Sequence, residues 1–144
     1  MRAAVAAIGV TIALVAHAEQ PAIPSGYEFD KPPILAQHLL WGVVHGVRLL
    51  GIACHRRGDA VAAQAYADWL DRQWPRIRAA EGDLSRHYFK RNQVPMEAID
   101  GALKLKPALD QADADLGEAC ASLPAALAAP RYDLERYYQE KLKQ

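Results

Sequence analysis

Two cysteines, a scatter of histidines and a single internal methionine are the residues of this chain best suited to chemistry, and their spacing decides which chemistry is open. Cys54 and Cys120 are the only cysteines. Both fall on the inward stripe of a helical pattern near a helix end, without the Cys-x-x-Cys spacing of a redox pair or the exposed, low-pKa setting of a reactive thiol. In an oxidising compartment such a pair is expected to form a structural disulfide. The bond would close a loop of 66 residues (120 minus 54) and contribute about 4 kcal/mol through the entropy of the unfolded chain. Two buried thiols, or a redox pair, are the alternatives.

His38, His45, His55 and His87 raise the question of a metal or haem, since neutral imidazole is a common ligand. His38 and His45 share a helix face but lie about 10.5 Å apart along the axis, too far to hold one ion together. No His-x-x-x-His pair and no Cys-x-x-Cys-His motif is present, so no cofactor and no metal site is expected from motifs. A ligand set would have to be assembled across helices from His38, His45, His87 and Met96, which is the alternative reading: a metal-binding or haem-binding bundle. Asp110, Asp113 and Asp115 lack the calcium-loop spacing and read as a solvated helix face. Arg57-Gly58-Asp59 spells an adhesion tripeptide, but a helix ending at Gly58 and another capped by Asp59 require the same residues. Ser25, Ser85 and Ser122 have no nucleophile-elbow context, and no catalytic motif emerges, so an enzyme is not expected. Arg86, His87, Tyr88, Lys90 and Arg91 form the densest polar cluster, read as a charged surface that could also meet an anion.

Binding is the better expectation. Trp41 lies with His38 and His45 on the second face of the first helix, edged by Arg48, and Tyr137 and Tyr138 lie near the C-terminus with Tyr132, Arg131 and Arg136. These residue types are enriched at interface hot spots. The expected partner-binding residues are therefore His38, Trp41, His45, Arg48, Tyr137 and Tyr138.

Helices must position all of these groups. Pro33 suits a first helical turn and Gly58 a helix end, which predicts one long helix over Pro33 to Arg57. Ala36, Leu40, Val43, Val47, Leu50 and Cys54 form its core stripe. The opposite stripe is apolar too, so the helix lies centrally or one side awaits a partner. Gly42 and Gly46 are expected to admit a close helix crossing. A second helix, capped by Asp59 and running to about Ala80, carries Ala62, Tyr66, Trp69, Gln73 and Ile77 inward. Pro75 predicts a kink or early end near Trp74, and Gly82 and Asp83 restart a short piece over Leu84 to Arg91. Pro95 opens a further helix with Met96, Ile99 and Leu103 inward, and Pro107 interrupts it or begins another. An amphipathic helix follows from Leu109, then an alanine-rich link between Pro124 and Pro130, then a last helix over Arg131 to Lys143. No sustained alternation of period two is present, so strands are not expected. The fold class is all-α, a small helical bundle of four to six helices with a proline-rich N-terminal arm.

The N-terminus sets the compartment. Arg2 precedes an uncharged run, Ala3 to Val15, too short to span a bilayer, and Ala16-His17-Ala18 has the small-x-small form of a signal-peptidase site. Residues 1–18 thus read as a signal peptide, 19–33 as an extended arm with Pro21, Pro24, Pro32 and Pro33, and 34–144 as one α-helical domain. Removing 18 of 144 residues leaves a length sufficient for a single core. Charge is balanced, with 17 Lys+Arg against 17 Asp+Glu, so the basic surplus of a nucleic-acid binder is missing. The expectation is a periplasmic or secreted protein-binding or accessory module of the inhibitor, immunity or chaperone-like kind, with another protein as partner and neither nucleic acid nor a membrane span.

Overall fold

The computed structural model describes residues 30–110 and 113–144. The proposed signal peptide and all but the end of the arm lie outside these residues. The described chain is all-helical: α1 (Pro32–Arg56), α2 (Ala60–Phe89), α3 (Met96–Ala102), α4 (Asp113–Leu127) and α5 (Leu134–Lys141), with a 3-10 turn over Pro130–Tyr132.

The expected start and stop signals set the ends of α1. Two prolines fill its first turn, where the missing N–H groups would have no partner. At the other end Gly58 adopts φ +82°, and the Asp59 amide reaches back to the Cys54 carbonyl at 3.0 Å. Asp59 then caps α2, its carboxylate accepting from the Ala62 amide at 2.9 Å. The Arg57-Gly58-Asp59 tripeptide is thus used as helix punctuation, as expected.

α1 and α2 run antiparallel. Gln37 near the start of α1 donates to Asp83 near the end of α2 at 2.6 Å, while Gly51 near the end of α1 abuts the Tyr66 ring near the start of α2. α1 lies centrally, packed on α2, α4 and α5, which explains why both its stripes are apolar. Ala36, Leu40, Val44, Val47 and Cys54 are buried along one side, and Trp41 is fully buried toward the other. Val43 and Leu50, expected in the core stripe, are half-buried at its edge.

Three expectations need correction. α2 neither ends near Trp74 nor restarts after Gly82, but runs unbroken through Pro75 and Gly82 to Phe89. A buried series, Trp69, Ile77, Ala80, Leu84 and Tyr88, spans the proline. Its burial on both sides, about 1.5–3 kcal/mol for each large side chain, offsets the roughly 3 kcal/mol cost of an internal proline. α4 similarly continues past Pro124 to Leu127, which shortens the alanine-rich link, and the last segment divides into the 3-10 turn and α5 because Asp133 caps a new helix at the Arg136 amide. Finally, Gly42 and Gly46 admit no close crossing, since a Cβ at either would meet nothing within 4 Å. The close approach occurs at Gly51 instead.

Cys54 and Cys120 are bonded, with Cα atoms 5.5 Å apart, and both are buried. The bridge ties the end of α1 to the middle of α4, and the alternatives of free or redox-exposed thiols fall away.

Candidate functional site

The most developed polar arrangement lies where side chains of α3, a helix packed on α2, meet those of the middle of α1. α3 is held there by its apolar Ile99 and Ala102, both buried, and this places the intervening Asp100 against α1. Trp41 Nε1–H donates to Asp100 Oδ1 at 2.9 Å. Arg48 donates to Asp100 Oδ2 through one guanidinium nitrogen, and the same nitrogen lies 3.1 Å from His45 Nδ1. The other terminal nitrogen of Arg48 donates to the Met96 sulfur at 3.4 Å. His45 Nε2 lies 2.6 Å from the carbonyl oxygen of Lys106.

These partners settle the His45 tautomer. A carbonyl can only accept, so Nε2 carries the proton, and in the neutral ring Nδ1 is left to accept from Arg48. Both ring nitrogens are therefore engaged within the protein. Neither cysteine nor any serine joins the network, so nothing here resembles a nucleophile beside a base. His45 Nδ1 also lies 3.3 Å from Asp100 Oδ2, and the arrangement positions α3 and forms the floor of a cleft.

Over this floor opens a cleft of about 670 Å³, walled by Leu49, Ile52, Leu105 and Pro107 and edged by Arg56 and Glu97. Ile52 is 37% exposed, a large apolar side chain facing water on the cleft wall. Its surroundings are pre-shaped, because the Arg48–Asp100 pair holds the two sides together.

The expected binding residues separate on this structure. Trp41 is fully buried and His38 nearly so: α3 covers the first, and the second shares a 2.6 Å hydrogen bond with the Tyr88 hydroxyl beneath α2. Neither reaches the surface, so the second face of α1 is covered at His38 and Trp41 and open to water farther along, at Ile52. His45 and Arg48 do line the cleft, but from its floor. Tyr138 lies under the Arg76 guanidinium at 4.2 Å and Tyr137 under the Lys141 ammonium at 5.4 Å, so cations of this same chain already stack on both rings. The histidine and methionine set of the alternative reading is not gathered for a metal either. The Arg48 guanidinium occupies the space among His45, Asp100 and Met96, and a fixed cation there repels another. Among the described residues no group of three His, Cys, Asp or Glu side chains is placed to hold an ion. Of the basic cluster, Arg86 pairs with Asp83 at 2.6 Å and Tyr88 is fully buried.

Asp100 and the connection over residues 103–107 are the parts of the site that the sequence did not disclose, whereas Ile52 belongs to the same helical stripe as His38, Trp41 and His45. A signal was present in the carboxylate next to inward-facing Ile99, matched by Arg48 between the apolar residues Val47 and Leu49 of α1. No family model, curated protein or solved structure matches the chain.

Proposed function

We propose that the chain is an exported protein-binding or accessory module of the inhibitor, immunity or chaperone-like kind, and that its contact surface is the α1–α3 cleft. The observation that carries the reading is Ile52, exposed on the wall of a pre-shaped cleft with Arg56 and Glu97 at its edge. An apolar anchor point within a charged rim is the arrangement of a small interface hot spot, and a rigid floor lowers the ordering cost of binding. Export is supported by the Met1 to Ala18 pattern and by the Cys54–Cys120 bond, which belongs to an oxidising compartment. No described helix is long and apolar enough to cross a membrane.

A photo-crosslinking amino acid placed at Ile52 in the producing cell tests the surface. A discrete protein adduct is expected from position 52 and not from Val61, which is exposed outside the cleft. No adduct from position 52, or the same adduct from both positions, would refute the reading. N-terminal sequencing of the exported protein is expected to begin at Glu19.

A further inference from the structure

Trp74 stands apart from the other tryptophans. Trp41 and Trp69 are fully buried, and each donates its indole N–H inside the protein, Trp41 to Asp100 and Trp69 to the Tyr132 carbonyl at 2.8 Å. Trp74 is 45% exposed, and no hydrogen bond among the described residues uses its N–H. It borders a second cleft, of about 580 Å³, between α2 and the connection over residues 90–95.

The polar groups beside it are ordered into a chain. Arg78 donates to the Glu81 carboxylate at 2.7 Å and to the Gln93 side-chain oxygen at 3.1 Å, and its guanidinium lies over one face of the Trp74 ring, 5.8 Å from the centre, so only the opposite face of the indole is offered to a ligand. Glu81 is almost fully buried, so its charge must be paired, and Arg78 pairs it. The result is an electrically balanced row of planar groups beside an exposed indole. Gln93 keeps its amide N–H groups and Glu81 its second carboxylate oxygen outside the described hydrogen bonds. Val94, Pro95 and Met96 close the remaining wall.

We propose that this cleft binds a neutral oligosaccharide. A pyranose ring has a face of weakly positive C–H bonds and a rim of hydroxyls that both donate and accept. The indole face opposite Arg78 complements the first, and the Gln93 amide and the exposed edge of the Arg78 guanidinium complement the second. A charged ligand finds no net charge here to favour it. A peptide offers only backbone carbonyls to the Gln93 amide and the Trp74 N–H, whereas the hydroxyl rim of a sugar both accepts from them and donates to the Gln93 side-chain oxygen; a proline-rich peptide is therefore the competing ligand in the test.

Titration of the purified chain with chitotriose, maltotriose and cellotriose, followed by calorimetry and tryptophan fluorescence, tests the proposal. Saturable binding of at least one, with a Kd on the order of 1 mM, is expected. Trp74→Ala should weaken it at least tenfold (about 1.4 kcal/mol), Trp74→Phe should keep part of it, and Gln93→Ala should weaken it severalfold with an unchanged helical circular dichroism spectrum. The proposal is overturned if none of the three sugars binds at about 10 mM, if Trp74→Ala leaves binding unchanged, or if the cleft takes a proline-rich peptide and no sugar.

Discussion

Arg48 and Asp100, 52 residues apart in the sequence, meet in an ion pair that fastens α3 to the middle of α1. Their side chains are only 17% and 12% exposed, and Asp100 also accepts from Trp41, so this carboxylate answers two buried donors at once. Removing one partner of such a pair leaves the other as an uncompensated buried charge, which costs far more than an exposed pair contributes.

Asp100→Ala is therefore expected to destabilise the fold by about 3 kcal/mol, read as a lower urea midpoint. Asp100→Asn should cost less, because an amide oxygen can still accept from Trp41. A loss below about 1 kcal/mol for Asp100→Ala would mean that the pair behaves as a solvent-screened surface contact.

Most of the bundle was legible in the sequence because its signals are local. Pro32 and Pro33, Gly58 and Asp59 mark helix ends through the chemistry of their own backbones, and the seven-residue spacing of Leu40, Val47 and Cys54, two helical turns at a time, records a buried face. The disulfide was legible because both cysteines fell on inward stripes. The early end that Pro75 allowed does not occur, for a physical reason: its local cost is real, but Trp69 and Ile77 are buried by helices that no local pattern names. The site was legible only in part. His45 and Arg48 were singled out, yet the partner that defines them, Asp100, lies on another helix, and whether Trp41 faced solvent or α3 depended on that tertiary contact. Ile52 and Trp74 are exposed through what fails to cover them, which periodicity does not encode.

The Cys54–Cys120 bond spans 66 residues of sequence and joins α1 to α4. By the chain-entropy argument it contributes about 4 kcal/mol, and both sulfurs lie in the core, out of reach of bulk reductant. The double variant Cys54→Ala, Cys120→Ala is expected to unfold at a markedly lower urea concentration. The native protein should resist dithiothreitol until denaturant opens it. Rapid reduction of the folded protein would contradict this placement.

Two glycines five residues apart on α1, Gly46 and Gly51, should respond with opposite sign. A Cβ at Gly46 meets nothing within 4 Å, whereas one at Gly51 would lie 2.6 Å from Tyr66 Cδ1. Gly46→Ala is expected to stabilise the protein by up to about 1 kcal/mol, since alanine restricts the unfolded chain and favours helix. Gly51→Ala must push the Tyr66 ring aside and should cost about 2 kcal/mol. Thermal denaturation of the two variants beside the parent chain reads the difference directly.

The same Tyr66 ring gives the protein a pH dependence on the alkaline side. Burial raises the phenol above its ordinary value of 10.0, and the charge of Arg48, which favours phenolate, offsets this only in part. Phenol ionises more easily in the unfolded chain than in the folded one, so above that ordinary value the folded state holds the proton that the unfolded state has lost. The stability associated with the neutral hydroxyl is thus fully present below pH 10.0 and is lost as the pH rises from there through the raised folded value. Tyr66→Phe keeps the ring against Gly51 and removes the ionisation. Urea midpoints measured from about pH 8 to about pH 11 should fall more steeply for the parent chain than for Tyr66→Phe. Parallel profiles would show that this hydroxyl ionises as freely in the folded protein as in the unfolded chain.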